Sequence, residues 1–264
     1  MGILFGLLFF LLVGFAIYGV FTLLPAGKAG LRKRNPQAVP KHWHAALIQN
    51  VAFYKKLTQE EQNLFRFRMM AFLSEINVEA VQFELTDIDK MLVAASAVIP
   101  VFNFAEWHYN NLSTVLIYPD HFNEDLSFAQ TEGDRHIGGL VGTGRFKNQM
   151  ILSRKALYHG FSNATDKGNT AVHEFVHLID KTDGMTDGIP ERLLEHQYIT
   201  PWLQLMHKEM EAINNDTSDI RKYGATNQAE FFAVASEYFF ERPDLFKRKH
   251  PELYQMLEQC FQKR

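Results

Sequence analysis

The chain contains a single cysteine, Cys260, among its 264 residues. This count excludes an intramolecular disulfide and fits a reducing compartment. The chain also lacks an excess of positive charge, since 27 lysines and arginines against 30 aspartates and glutamates give a net charge of −3. A general affinity for nucleic acid is therefore not expected. Internal repeats and low-complexity tracts are absent as well, which excludes a repeat architecture.

Charge is missing altogether from the first 27 residues, and positions 3–24 are almost all Leu, Phe, Val, Ile, Ala and Gly. A membrane-spanning helix needs about 20 apolar residues, whereas a secretory signal has a basic start and a shorter apolar segment. Lys28 and the basic run Arg32–Arg34 follow directly, and basic residues stay on the cytoplasmic side. We therefore expect one transmembrane helix over 1–27 that holds a cytoplasmic domain at the cell membrane. A buried core helix or a cleaved signal is the alternative interpretation.

The rest of the chain divides into a basic linker over 28–40, marked by two prolines, and one domain over 41–264. Thr58 and Glu61 have the spacing of a capping box, which predicts a helix from Gln59. The other predicted elements are a helix over Thr86–Val98, strands at Thr114–Tyr118 and Met150–Ser153, a glycine-bearing hairpin over Gly138–Gly144, and a mostly helical region from Asn169 onward. This order predicts an α+β fold that is mostly helical with a small sheet.

The strongest chemical signal is His173-Glu-Phe-Val-His177, which lies within an apolar run compatible with a helix. Two histidines four positions apart project from the same face of a helix, where their imidazole nitrogens are suited to bind one Zn²⁺. Glu174 follows the first histidine and is placed to reach a metal-bound water rather than the metal. Zinc lowers the pKa of such a water to about 7, and the glutamate would act as general base. The alternative is a core helix with two incidental histidines.

A zinc peptidase needs a third protein ligand, with the fourth position left for water. Asp183 lies six residues past His177, where metzincin-type sites place a ligand, but the midway glycine of those sites is replaced by Asp180. Glu195 and His196 lie 18 and 19 residues past His177, near the spacing of thermolysin-like sites.

Two further acids, Glu230 and Glu237, are on one face of a predicted helix that is otherwise aromatic and apolar. Burying an acid is costly without a partner, and a metal would be such a partner. For Glu237 a salt bridge or a hydrogen bond to backbone is the favoured interpretation. From the residues alone, the third ligand stays open among these candidates.

Two blocks together resemble the zinc peptidases typified by Mlc titration factor A. One is Asn169-Thr-Ala-Val-His-Glu-Phe-Val-His-Leu-Ile-Asp180, and the other is Tyr223-Gly-Ala-Thr-Asn-Gln-Ala-Glu-Phe-Phe-Ala-Val-Ala-Ser-Glu-Tyr-Phe-Phe240. Weaker similarity at Leu116–Pro119 and Met150–Ser153 extends the resemblance over about residues 40–264. The resemblance implies a zincin-like metallopeptidase domain in which Glu230 is the third ligand of a single Zn²⁺.

The second block is also similar to the catalytic domain of anthrax lethal factor, where a tyrosine seven residues before the ligand glutamate faces the metal. Tyr223 holds that position here, and its phenol would donate to the developing oxyanion; the alternative is a surface aromatic. Asp180 matches a family position at which the side chain orients a ligand histidine, although it is equally suited to cap or form a salt bridge.

The sequence therefore predicts a membrane-anchored zinc peptidase that acts on a peptide or protein and binds no nucleic acid. Members of the resembled family bind the Mlc repressor, so the alternative is a regulatory protein that titrates such a partner. Typical members lack the leading apolar segment, and no surface for a repressor is recognisable in the sequence. A structural zinc site is disfavoured by Glu174, because structural sites close all four positions. We also expect a strand such as Met150–Ser153 to align the substrate by backbone pairing.

Overall fold

The computed structural model describes residues 38–123, 137–162 and 166–262. These residues belong to one compact unit. The predicted transmembrane helix over 1–27 and nearly all of the predicted linker lie outside the described residues and stay predictions. Within the three described ranges, no helix combines the length and the apolar character that crossing a bilayer requires.

Helices make up most of the described structure. In chain order they are α1 (Trp43–Asn50), α2 (Ala52–Lys55), α3 (Gln59–Glu75), α4 (Asp87–Val98), α5 (Arg154–Ser162), α6 (Thr170–Asp180), α7 (His196–Asn214), α8 (Gln228–Glu241), α9 (Pro243–Lys249) and α10 (Pro251–Phe261). The predicted capping box opens α3, because Glu61 N–H donates to Thr58 Oγ1 and Thr58 N–H donates to Glu61 Oε2. Thr86 and Asp89 open α4 in the same way.

The sheet has the strands β1 (Asn77–Ala80), β2 (Thr114–Tyr118), β3 (Gly139–Val141) and β4 (Gln149–Ser153). Their spatial order is β1-β2-β4-β3, with β1, β2 and β4 parallel and β3 antiparallel to β4. The α+β prediction is thus confirmed as a mostly helical domain with a small mixed sheet. The hairpin predicted within Gly138–Gly144 is instead a single strand, β3, because a 3₁₀ turn at Gly144–Phe146 leads on to β4, with which β3 pairs. The expectation that Met150–Ser153 is available to a substrate is wrong, because β4 is paired on both sides.

Two helices in the core determine where the functional side chains lie. Every residue of α6 from Ala171 to Asp180 is buried, and so is every residue of α8 from Ala229 to Phe239 except Glu230. Both helices begin with an asparagine cap, since Asn169 Oδ1 accepts from Val172 N–H and Asn227 Oδ1 accepts from Glu230 N–H. A capped and buried helix is held firmly on all sides, so α6 and α8 offer a rigid support for a site at their contact.

Candidate metal centre

The two histidines of α6 and the first acid of α8 converge at one end of a cleft. His173 Nε2 lies 3.0 Å from His177 Nε2 and 3.0 Å from Glu230 Oε2, and His177 Nε2 lies 3.5 Å from the same oxygen. Among the described residues, this is the one group of three His, Cys, Asp or Glu side chains whose ligand atoms all lie within 4.8 Å of one another. Two imidazole nitrogens and a carboxylate oxygen at this separation need a proton or a metal cation between them, because their lone pairs would otherwise repel one another.

These separations fit a tetrahedral metal ion. Ligand atoms about 2.1 Å from a tetrahedral centre lie about 3.4 Å apart, and the three measured distances fall between 3.0 and 3.5 Å. The donor set of two imidazoles and one carboxylate is one that divalent zinc accepts in catalytic sites. His173, His177 and Glu230 are therefore a candidate metal site.

The other proposed ligands lie outside this group. Asp183 Oδ1 instead accepts a hydrogen bond from Met185 N–H, at 2.9 Å, in the loop that follows α6. Glu195 Oε2 accepts from Gln197 Nε2, also at 2.9 Å, at the exposed start of α7. His196 is exposed beside it. Of the alternatives that the residues alone left open, the structure brings only Glu230 to the two histidines within the described part of the chain.

Glu237 lies behind His173 and has three hydrogen-bond donors. His173 Nδ1–H donates to its Oε1 at 2.8 Å, the Arg221 guanidinium donates to the same oxygen, and Asn169 N–H donates to its Oε2 at 2.5 Å. The side chain is 1 % exposed. A carboxylate on Nδ1 fixes the ring orientation and leaves Nε2 available to a metal. The predicted salt bridge and backbone hydrogen bond are both present, and the contact with His173 is an addition that sequence reasoning missed.

The charges around His173 favour a cation at this point. Burial would lower the pKa of His173, but the neighbouring carboxylates of Glu237 and Glu230 raise it to about 10. Burial would likewise raise the pKa of Glu230, but its hydrogen bonds with His173 and His177 hold that pKa well below its usual range. Glu230 also lies in the first turn of α8, where the helix dipole favours negative charge.

Glu174 is buried next to the two histidines and faces the same cleft. Its burial is the main cause of a raised pKa, and a glutamate with a raised pKa is suited to general-base chemistry near neutral pH. Gly139 of β3 lies directly over it: a Cβ atom at that position would be 2.6 Å from Glu174 Cγ and 2.7 Å from its Oε1. A side chain at position 139 would have to displace Glu174, so the edge strand and the glutamate are in direct contact.

Asp180 forms no hydrogen bond with a ligand histidine in the described structure. Its Oδ2 accepts a hydrogen bond from Gly188 N–H at 2.8 Å, which holds the loop after α6. Within the described part of the chain, neither Asp180 Oδ1 nor His177 Nδ1 has a hydrogen-bond partner. Burial raises the pKa of Asp180 to about 7. Of the roles considered for this residue, the structure favours binding of a backbone amide over orientation of a ligand ring.

The cleft extends to both sides of the candidate metal site. The larger part, of about 760 Å³, is lined by β3 (Gly139–Val141), by the start of α8 and by Lys181, Thr186 and Asp187. A smaller part, of about 300 Å³, is lined by His121, Thr170 and Arg221 among others. His173, Glu174, Gly139 and Tyr223 line both parts. A linear chain can therefore cross the metal site with residues on either side.

Tyr223 is at the rim of the cleft on a short 3₁₀ turn, Lys222–Ala225. Its ring centroid lies 5.9 Å from that of His173, and 42 % of its surface is exposed. The phenol-bearing side chain thus lies beside the candidate metal site, as the resemblance implied. Its chemical role stays a prediction.

Comparison with known proteins gives a consistent result. The model of a family described as glucose-regulated metallo-peptidase M90 matches residues 28–262. An uncharacterised protein of Synechocystis is 28 % identical over 243 residues, which cover 84 % of each chain. Mlc titration factor A of Pectobacterium atrosepticum is 28 % identical over 84 % of each chain, and that of Escherichia fergusonii is 30 % identical over 87 % of this chain and 88 % of its own.

Proposed function

The chain belongs to the glucose-regulated metallo-peptidase M90 family, and on this premise we propose that it hydrolyses peptide bonds with one Zn²⁺ per chain. The observation that carries the proposal is the convergence of His173, His177 and Glu230 beside a buried Glu174, in a cleft open on both sides. The family supplies the reaction class. The donor set supports zinc, which commonly takes two histidines and a glutamate in peptidases.

Zinc, when bound, lowers the pKa of a water to about 7 and polarises a carbonyl oxygen. The side chains of this protein supply the remaining steps. Glu174 accepts a proton from the attacking water and delivers it to the leaving amine, and its raised pKa favours the first of these transfers. Tyr223 is assigned to donate its phenolic proton in a hydrogen bond to the oxyanion that develops on the carbonyl. Glu237 holds the His173 ring in place during the cycle.

We assign substrate alignment to β3 rather than to β4. In the described sheet β3 is at an edge, and an extended peptide adds to such an edge by backbone hydrogen bonds. Gly139 brings this edge against Glu174. The assignment therefore predicts that a peptide paired with β3 passes close to the general base.

The direct test is peptide hydrolysis by the purified full-length chain, with metal content measured on the same samples. We expect bound zinc in the wild type and in Glu174→Gln, with kcat lower by about 10²–10⁴-fold in the variant, the usual contribution of a general base. A Glu174→Gln protein that hydrolyses peptides as fast as the wild type would rule out the mechanism.

A second candidate function is titration of a protein partner, with hydrolysis secondary. It is supported by the name of two similar proteins, Mlc titration factor A. The Glu174→Gln substitution distinguishes the two functions, because loss of the general base abolishes peptide hydrolysis and leaves a protein-binding surface intact. Partner capture that survives this substitution, together with a wild type that hydrolyses no peptide, would favour titration.

We also propose that residues 1–27 anchor the protein in the cell membrane with its catalytic domain in the cytoplasm. The support is the charge-free apolar run followed by Lys28 and Arg32–Arg34. The full-length protein is expected in the membrane fraction after a carbonate wash, and its cytoplasmic residues should resist protease in intact cells. Release of the full-length chain by carbonate would contradict the anchor.

A further inference from the structure

Arg221 immediately precedes the 3₁₀ turn that carries Tyr223 and is part of its backbone hydrogen bonding. The carbonyl of Arg221 accepts from Gly224 N–H at 2.9 Å, and the carbonyl of Tyr223 accepts from Thr226 N–H at 3.1 Å. The direction of the Tyr223 side chain therefore depends on where the backbone of Arg221 is held.

The side chain of Arg221 is held by the same carboxylate that orients His173. Its guanidinium donates to Glu237 Oε1, the oxygen that also accepts from His173 Nδ1. The two partners differ in exposure, since Glu237 is 1 % exposed and the Arg221 side chain 43 %. A buried carboxylate on a core helix is a fixed point, so the arginine is the partner that is positioned by the contact.

A third element keeps the guanidinium against this carboxylate. Gly168, just before α6, has no side chain, and a Cβ atom there would lie 3.3 Å from Arg221 Nη1 and 3.6 Å from Glu237 Oε2. The guanidinium thus passes close to the backbone at the start of the metal-binding helix. Arg221 connects the turn of Tyr223, the helix α8 and the entry to α6.

We propose that Arg221 is a positioning residue that sets the Tyr223 turn relative to His173 through Glu237. Because 42 % of Tyr223 is exposed, burial contributes less to fixing its position than it would for a core aromatic. A charge-assisted hydrogen bond is directional and stronger than a neutral one, so the Arg221–Glu237 contact constrains the turn in addition to burial. The effect of Arg221 on catalysis rests on the role proposed above for Tyr223. The effect of Arg221 on the position of the turn is independent of that role.

The first test measures the turn without reference to hydrolysis. In the full-length protein, Arg221→Ala should speed amide hydrogen exchange at 224–226 by at least about 10-fold, because local opening becomes less costly. Exchange in α6 should stay unchanged. Lys222→Ala is the matched control: it removes the adjacent cation of the same turn, whose partner Asp216 is 69 % exposed. Unchanged exchange in Arg221→Ala would overturn the proposal.

The second test is a double-mutant cycle with Tyr223→Phe. Arg221→Ala should lower kcat by about 10–100-fold, the range typical of groups that orient metal-site residues, with a smaller change in KM. In the Tyr223→Phe background the same substitution should cost less than about 3-fold, since coupled residues are non-additive. Equal losses in both backgrounds would show that Arg221 does not act through Tyr223.

A third variant, measured in the same two assays, keeps these outcomes separable. Arg221→Lys retains the charge without the planar fork, so it should fold if the alanine variant does not, and its exchange and kcat should fall between those of wild type and Arg221→Ala. Full wild-type behaviour of Arg221→Lys in both assays would overturn the need for the fork. If the wild type hydrolyses no peptide, the proposed function fails while the exchange experiment still decides the positioning.

Discussion

Among the described residues, two histidines have a carboxylate at each ring nitrogen, and they lie in different surroundings. In the cleft, His173 contacts Glu237 through Nδ1 at 2.8 Å and Glu230 through Nε2 at 3.0 Å. Near the C-terminus, His250 contacts Glu209 through Nδ1 at 3.0 Å and Asp219 through Nε2 at 2.8 Å. The local pattern is the same in both places.

The neighbours of the second carboxylate make the difference. Asp219 is surrounded by cations and a donor, because Lys167 Nζ lies 2.6 Å and Lys249 Nζ 3.0 Å from its Oδ2, and the Tyr238 hydroxyl donates to the same oxygen. Glu230 instead lies beside a second imidazole, that of His177. A carboxylate that already has ammonium partners has no need of a metal, whereas one beside two imidazoles completes a donor set that suits a metal ion. A histidine between two acids is therefore not sufficient to identify a metal site.

The sharpest test of this comparison is to remove the second carboxylate at each place. Glu230→Ala should lower zinc affinity by more than about 100-fold, because a direct ligand contributes more than the outer partners that typically account for 10–100-fold. Asp219→Ala should leave zinc affinity within about 3-fold of wild type, since Asp219 bonds Lys167, Lys249, Tyr238 and His250 and none of the three candidate ligands. Competition with a chromophoric chelator measures both. If Asp219→Ala lost zinc and Glu230→Ala retained it, the metal site would lie at the His250 cluster and not in the cleft.

A smaller effect is expected at the carboxylates that contact Nδ1. Glu237→Gln should weaken zinc binding by about 10–100-fold, the cost of losing a partner that orients a ligand. Glu209→Gln, the matched change in the other cluster, should leave the affinity for zinc unaltered. The same chelator titration reads both variants. Equal zinc affinity in Glu237→Gln and wild type would show that the Nδ1 contact does not tune the metal site.

The smallest effect concerns stability at the C-terminal cluster. His250→Gln should lower the free energy of unfolding by about 1–3 kcal/mol, because it removes the charged donor that two partly buried carboxylates share. His108→Gln is the control, since the His108 side chain is 47 % exposed against 9 % for His250, and pairs with an exposed partner contribute about 0–1 kcal/mol. Urea denaturation measures both. Similar values for the two variants would show that the cluster around His250 contributes no more than a surface pair.

The stability of this cluster should also depend on pH. Burial would lower the pKa of His250, but the carboxylates of Glu209 and Asp219 raise that pKa. Burial would raise the pKa of Asp219, but its hydrogen bonds with Lys167 and His250 hold that pKa well below its usual range. The histidine's contribution is complete below its unfolded pKa of about 6.5 and is lost as the pH rises through the folded value. The aspartate's contribution is complete above about 3.9 and is lost as the pH falls. The effect of His250→Gln should therefore be larger at about pH 5.5 than at about pH 9.

Local features of this molecule are predictable from the sequence because neighbouring residues determine them. Thr58 and Thr86 cap their helices through residues three positions later. His173 and His177 share a helix face because they are four apart. Strand β1, in contrast, went unpredicted: Asn77–Ala80 contains Asn and Glu, and it is a strand only because it pairs in parallel with β2.

The rest of the site depends on contacts between distant segments. Glu230 lies 53 residues after His177, and spacing alone left three other side chains as candidates; the resemblance to a family, rather than periodicity, selected it. The position of β4 in the middle of the sheet follows from strand order, which the sequence pattern of a short apolar run does not contain. Gly139 was expected in a hairpin, but its contact with Glu174 requires the packing of β3 on α6.

The pairing of two acids on α8 has a consequence for how this protein tolerates change. Glu230 and Glu237 are seven residues apart, so they lie nearly in line along the helix and approach the His173 ring from its two nitrogens. Inserting or deleting one residue between them would rotate the second acid by about 100° around the helix axis. The number of residues between the two acids is therefore constrained more tightly than the identity of residues 231–236. An insertion there would destroy the site, whereas many conservative substitutions would preserve it.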